Sequence, residues 1–129
     1  MSTPLQLKYS KTHEWAEFNN DGTVRTGFSD FAQNALGDLV FLDIAVDVGD
    51  EVKAGEPYAD IESVKAVFPV NSPVSGLVLE INREVADEPG KINEDPYGSW
   101  IIKIGNIRAE VMLMDAAGYR MHCTEGEVK

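Results

Sequence analysis

Asp60-Ile61-Glu62-Ser63-Val64-Lys65-Ala66-Val67-Phe68-Pro69-Val70 sets a single lysine between two short apolar runs. Gly49 and Gly55 punctuate the approach, and Ser72-Pro73-Val74-Ser75-Gly76 leads on into Leu77-Val78-Leu79-Glu80-Ile81. Short apolar runs bounded by turn residues read as strands. Lys65 therefore falls at the tip of a tight β-turn and projects into water. Most turn lysines are merely solvated. This one has small or β-branched neighbours, Ser63, Val64, Ala66 and Val67, which leave its amine open to a modifying enzyme. Glu62 precedes it as a plausible recognition contact, and the flanking strands would hold the turn in one geometry. Amide formation at the amine would cancel its charge and add an arm. Lys65 is read as a covalent attachment point.

Outward from that turn the chain stays rich in short strands. Leu5, Leu7 and Tyr9 alternate with polar residues as an edge strand would. Residues 13–18 and 23–28 form the arms of a hairpin around Asn19-Asn20-Asp21-Gly22, with Glu17 and Arg25 on its wet face. Phe28, Ala32, Ala35 and Leu36 then recur at helical spacing, with Ser29 placed to cap the start and Gly37 the end. Residues 39–44 read as a buried strand. Residues 82–96 read as a polar connection with one helical turn near 83–86, and residues 100–104 as another strand. From Ile107 the period becomes helical. Val111 and Met114 share a face, Asp115 caps a further turn, Tyr119 and Cys123 repeat, and residues 125–129 fray. The sum is a mainly-β sandwich or flattened barrel with helical additions. It is expected as one domain over 1–129, with a C-terminal helical segment at about 108–124 packed on it.

The chain has 129 residues and a net charge of −11, which argues against nucleic acid and anionic membrane as partners. An acidic carrier would be steered to basic partner surfaces. Cys123 is the only cysteine, so no intrachain disulfide and no multi-cysteine site can form. The N-terminus lacks the charged and apolar regions of a signal peptide, and a cytoplasmic location is the expectation.

Enzyme chemistry finds no constellation. His13 and Glu14 are neighbours on a strand and point to opposite faces. His122 and Cys123 are neighbours on a helix and diverge. No Gly-rich phosphate loop or metal-ligand spacing is present. No catalytic residue and no metal ligand is assigned, and the protein is read as non-catalytic.

The residues also carry a resemblance. Ile61-Glu62-Ser63-Val64-Lys65-Ala66, followed by Ser72-Pro73-Val74-Ser75-Gly76, is similar to the lipoylation site of the H-protein family of the glycine cleavage system. His13-Glu14-Trp15, the block from Gly27 to Asp38, Val40-Phe41-Leu42-Asp43, Ile92-Asn93, Asp95-Pro96-Tyr97, Trp100 and Met114-Asp115-Ala116-Ala117 with Tyr119 extend the match along nearly the whole chain. The resemblance implies the barrel-sandwich hybrid fold of lipoyl and biotinyl carriers, a monomer, and lipoate bound covalently to Lys65. Biotin carriers usually set Met on both sides of the lysine, where Val64 and Ala66 stand here. Glu62, Ser63, Val64 and Ala66 would mark the site for a lipoate ligase or lipoyl transferase. The implied task is to shuttle an aminomethyl group between glycine decarboxylase, aminomethyltransferase and dihydrolipoamide dehydrogenase.

Three departures from the family pattern stand out. Phe68-Pro69 replaces the usual Ser-Asp after the lysine, Phe31 replaces a His at the helix start, and Ser99 replaces a Gly before Trp100. A shielded ammonium cargo wants a carboxylate and hydrogen-bond partners. Glu14 remains as one, and Glu14, Phe31 and Phe68 are the candidate residues of a pocket for the arm. The apolar replacements keep a second role open, an H-like lipoate-binding protein for sulfur oxidation with a heterodisulfide-reductase-like complex, or a lipoyl relay. A reading of another class is an unmodified interaction module whose turn docks a partner.

Overall fold

Turn residues and alternation divide the chain into nine short strands and four helices among the described residues. The structure, a computed structural model, describes residues 2–128. In chain order the elements are β1 (Lys8–Tyr9), β2 (Glu14–Phe18), β3 (Val24–Phe28), α1 (Asp30–Leu36), β4 (Leu39–Ile44), β5 (Glu51–Val52), β6 (Pro57–Ser63), β7 (Val67–Asn71), β8 (Val74–Ile81), α2 (Arg83–Asp87), α3 (Gly90–Glu94), β9 (Ile102–Glu110) and α4 (Ala116–Val128). The strands make two open antiparallel sheets. One runs β1-β2-β3-β9-β8-β5, the other β4-β6-β7. The fold is mainly β, as the sequence implies.

The two sheets share one apolar core. Val24, Val78, Ile102 and Ile104 come from the larger sheet, and Leu42, Ala59, Ile61 and Val70 from the smaller, all buried. Strand alternation sends these residues inward and their neighbours to solvent. Gly76 lets β8 and β9 approach closely. A Cβ there would overlap the Gly105 carbonyl oxygen and stand 2.7 Å from Ile104 Cγ2. A second cluster, Leu7, Tyr9, Trp15, Ala116, Tyr119 and Cys123, fastens α4 to the edge of the larger sheet. Tyr9 and Tyr119 stack there with ring centroids 4.6 Å apart.

Helix α1 forms as its caps dictate. The Ser29 hydroxyl accepts the Ala32 N–H at 3.1 Å, and Gly37, at φ 80°, closes the helix by donating to the Gln33 carbonyl. That backbone region favours glycine.

Several expectations need correction. The N-terminal strand is confined to Lys8–Tyr9, and Leu5 is fully outside it and exposed. Strand β4 is an edge strand, not a buried one. Leu39 and Leu42 point inward, while a bulge turns Val40 and Phe41 to solvent. The stretch 82–96 holds two helices rather than one turn. β9 begins at Ile102, not Trp100, and continues to Glu110, so the period after Ile107 is still that of a strand. The C-terminal helix accordingly starts at Ala116 rather than near 108, and Val111 and Met114 precede it. Sheet pairing decides this, because β8 is long enough to hold β9 as far as the Val74–Glu110 pair. The same helix runs through Val128, beyond the expected fraying point, and Lys129 lies outside the described residues.

Candidate functional site

The Lys65 turn is built by one serine. The Ser63 hydroxyl accepts the backbone N–H groups of Lys65 at 3.2 Å and Ala66 at 3.3 Å. Ser63 N–H donates to the Ala66 carbonyl at 2.9 Å. A hydroxyl that takes amides two and three residues on is a side-chain mimic of a backbone turn. Val64 N–H donates to the Asp38 carbonyl at 3.3 Å, which ties the turn to the segment joining α1 to β4. Val64, Lys65 and Ala66 are exposed, as the sequence predicts. Ser63 is itself buried, so its structural part in the turn is direct. Glu62 is half-buried and sits opposite Val67 across the hairpin.

A groove of about 390 Å³ opens beside the hairpin. Phe31, Ala35 and Leu36 of α1 form one wall, Phe68 and Pro69 of β7 the other, and Thr12 and Asn71 lie between. Two of the three residues expected at an arm pocket, Phe31 and Phe68, thus line one groove. Glu14 does not line it. It is buried, and it accepts from the hydroxyls of Ser10 (2.7 Å) and Thr12 with one oxygen and from Asn71 N–H (3.0 Å) with the other. Glu14 therefore underpins Thr12 and Asn71, two of the polar residues of the groove, which Lys11 and His13 also line. Burial pushes its pKa up, and the Thr12, Ser10 and Asn71 hydrogen bonds oppose that rise. The Tyr58 hydroxyl is buried near it without a hydrogen bond, and burial with the Glu14 charge raises its pKa well above the usual phenol range.

His13 precedes β2 rather than lying on it with Glu14. His13, at φ 76°, turns its ring to the Tyr119 hydroxyl, with Nδ1 2.8 Å away, and onto Phe31 at 5.0 Å between ring centroids. The His122 ring lies 5.5 Å from that of His13, and its Nε2 donates to the Lys11 carbonyl. Burial, then the His122 charge, lowers the His13 pKa. Cys123 is buried one helical turn after Tyr119, within the same aromatic cluster. Ser99, one of the departures from the family pattern, is buried and donates to the Lys91 carbonyl at 3.0 Å, which satisfies the hydroxyl that a glycine would lack. Among the described residues no group of three or more His, Cys, Asp or Glu could hold a metal ion, and no helix is long and apolar enough to cross a membrane.

Thr12, Ala35, Leu36, Pro69 and Asn71 were not legible as groove residues. The sequence places Ala35 and Leu36 in the apolar stripe of α1, and only the structure shows that Ala35 is exposed. Ser63 could have been found as the turn's organiser from the spacing of its hydroxyl to Lys65 and Ala66.

This geometry, an exposed lysine on a fixed turn beside an apolar groove, can be compared with known proteins. A family model described as "Glycine cleavage H-protein" matches residues 7–126. The chain belongs to the glycine cleavage H-protein family. It is 53% identical over 116 residues to the "Probable glycine cleavage system H protein" of Pyrococcus abyssi, covering 88% of this chain and 86% of that one. It is 50% identical over 119 residues to the glycine cleavage system H protein of Methylococcus capsulatus, covering 91% and 93%. The crystal structure of a glycine cleavage system H protein from Mycobacterium marinum superposes with a TM-score of 0.87 at 36% identity, covering 95% of this chain and 98% of that one. The two-sheet architecture with a C-terminal helix is thus an H-protein fold, and the Lys65 hairpin, the groove and α4 as far as residue 126 fall within the matched residues.

Proposed function

We propose that the protein is a non-catalytic carrier that holds lipoate as an amide on Lys65 and presents it to the enzymes of the glycine cleavage system. The observation that carries this is the Lys65 turn itself. It is exposed, locked by Ser63, and adjacent to an apolar groove inside a chain of this family. The site suits the group: an amine in water can be acylated, and a short aliphatic chain with a neutral ring matches the lining of Phe31, Ala35, Leu36, Phe68 and Pro69. When bound, lipoate supplies a disulfide that opens to accept a group and is later restored by thiol–disulfide exchange.

The chain's own residues supply placement. Ser63 fixes the direction in which Lys65 leaves the surface. Phe31 and Phe68 exclude water from the resting arm, and Thr12 and Asn71, backed by Glu14, offer polar contacts beside Lys11 and His13. Tethering raises the effective concentration of the group at each partner's site. Co-expression with a lipoate ligase, followed by intact-mass spectrometry, should show one lipoyl addition that Lys65→Ala abolishes. An unmodified wild-type protein would sink the reading in favour of an interaction module.

A second cargo is favoured by one specific observation. Both Glu14 oxygens are already engaged by the protein behind the groove, and no carboxylate lines the groove itself. A neutral sulfur cargo for a heterodisulfide-reductase-like partner would find more suitable surroundings there than a cationic amine. Exchange of labelled bicarbonate into glycine, with the lipoylated protein and a glycine decarboxylase, separates the two. Exchange at ordinary rates removes the sulfur reading.

A further inference from the structure

The smaller sheet has an outer face that no other element covers. Strand pairing sets Phe41, Glu62 and Val67 side by side across β4, β6 and β7. The next outward row is Asp43, Asp60 and Pro69. Phe41 and Val67 are 54% and 55% exposed, and Asp43 and Asp60 are exposed. None of the three strands contains a Lys or Arg. Among the described residues, Asp43, Asp60 and Glu62 make no ion pair and no side-chain hydrogen bond; the two ion pairs present lie elsewhere.

Like charges directly opposite each other on neighbouring strands destabilise a sheet. Asp43 and Asp60 are such a pair, with Glu62 one outward position along the same strand. The fold gains nothing from placing three carboxylates and two exposed apolar side chains here. A partner with a basic surface around an apolar hollow would neutralise the first and bury the second.

The position identifies which partner. An enzyme that acts on the loaded arm works at the arm's far end. The enzyme that makes the amide must bring its site to the Lys65 amine, no further from the hairpin than a lysine side chain reaches. It must therefore lie against β6 and β7, where Glu62 and Val67 flank the turn. There an amide forms between the lysine nitrogen and the carboxyl of an acyl adenylate, AMP leaves, and the amine gives up a proton. We propose that Phe41, Asp43, Asp60 and Val67 extend the recognition contact expected at Glu62 into a docking surface for the lipoate-attaching enzyme, which meets them with a basic, centrally apolar surface. This rests on the reading of Lys65 as an attachment site.

The test uses the apo-protein with a purified ATP-dependent lipoate ligase, lipoate and ATP. Initial rates are followed by intact mass across a range of protein concentrations and at several salt concentrations. Asp43→Asn with Asp60→Asn should raise KM about tenfold with little change in kcat, and should flatten the salt dependence. Phe41→Ser with Val67→Thr should raise KM without changing the salt dependence. The double Asn variant should melt at the wild-type temperature or above, because the opposed carboxylates are gone. A wild-type KM and wild-type salt slope in both variants would overturn the docking surface, as would a lowered melting temperature for the Asn pair with an unchanged KM. Wild-type protein that takes up no lipoate would instead overturn the attachment reading, so the two failures are distinguishable.

Discussion

The Tyr119 hydroxyl of the last helix lies 2.6 Å from Oγ of Ser29, the residue that caps the first. Tyr119 is fully buried, and its hydroxyl also meets His13 Nδ1 at 2.8 Å. Helix α4 thus holds the start of α1, and α1 is a wall of the groove beside Lys65. A residue remote in sequence from the lysine fixes the surface on which its arm would rest.

Removing that hydroxyl should be costly. Tyr119→Phe leaves Ser29 Oγ and His13 Nδ1 each short of a partner, a loss of about 1–2 kcal/mol in urea unfolding. Ser29→Ala removes the cap as well, about 1 kcal/mol. The double variant should lose less than the sum, since the two residues share one hydrogen bond. Additive losses would show that the contact is not formed.

Glu14 should make the protein less stable as pH rises. Its folded pKa is raised above the ordinary carboxylate value, chiefly by burial. The folded state therefore holds the proton more tightly than the unfolded state. The associated stability is fully present below the unfolded pKa and is lost as pH climbs through the folded one. Melting temperatures of wild type and Glu14→Gln, compared from about pH 4 to 8, should diverge in that direction, with the wild type losing relative stability as pH increases. A difference that stays constant with pH contradicts the assignment.

His13 behaves in the opposite sense. Its folded pKa is lowered by burial and by His122, so its contribution is present above the unfolded pKa and is lost as pH falls through the folded value. His122→Gln removes the neighbouring charge. The His13 ring resonances, followed by NMR, should then titrate at a higher pH than in the wild type. An unchanged midpoint would leave burial as the sole cause.

The groove can be probed through the arm. With the protein lipoylated, Phe68→Asp should expose the arm and speed its reduction by a small external thiol several-fold, with the melting temperature nearly unchanged, because Phe68 is already 38% exposed. Phe31→Ala should do the same from the opposite wall. Equal reduction rates in all three proteins would mean that the arm does not rest in the groove.

Local chemistry made much of this molecule legible. The hairpin from β2 to β3 is written in Asn19-Asn20-Asp21-Gly22, α1 in Ser29 and Gly37, and the exposed lysine in its two strand-like flanks. These depend on residues a few positions apart. The errors occurred where a distant strand decided the outcome. β9 outran its apolar pattern because β8 was there to pair with it, and β4 exposed Val40 and Phe41 because a bulge in its pairing with β6 turns both to solvent. Residues 82–96 formed two helices through contacts that polar composition does not reveal.

The sequence by itself determined that Lys65 stands at a solvated turn in a mainly-β chain, because turn residues and side-chain alternation act over a few bonds. Tertiary structure alone decided what surrounds the lysine. It brought Phe31 to Phe68, buried Glu14 behind Thr12 and Asn71, and set Asp43 opposite Asp60. These meetings follow from strand register and helix docking, which depend on burying a shared core and leave no mark on any single stretch of chain.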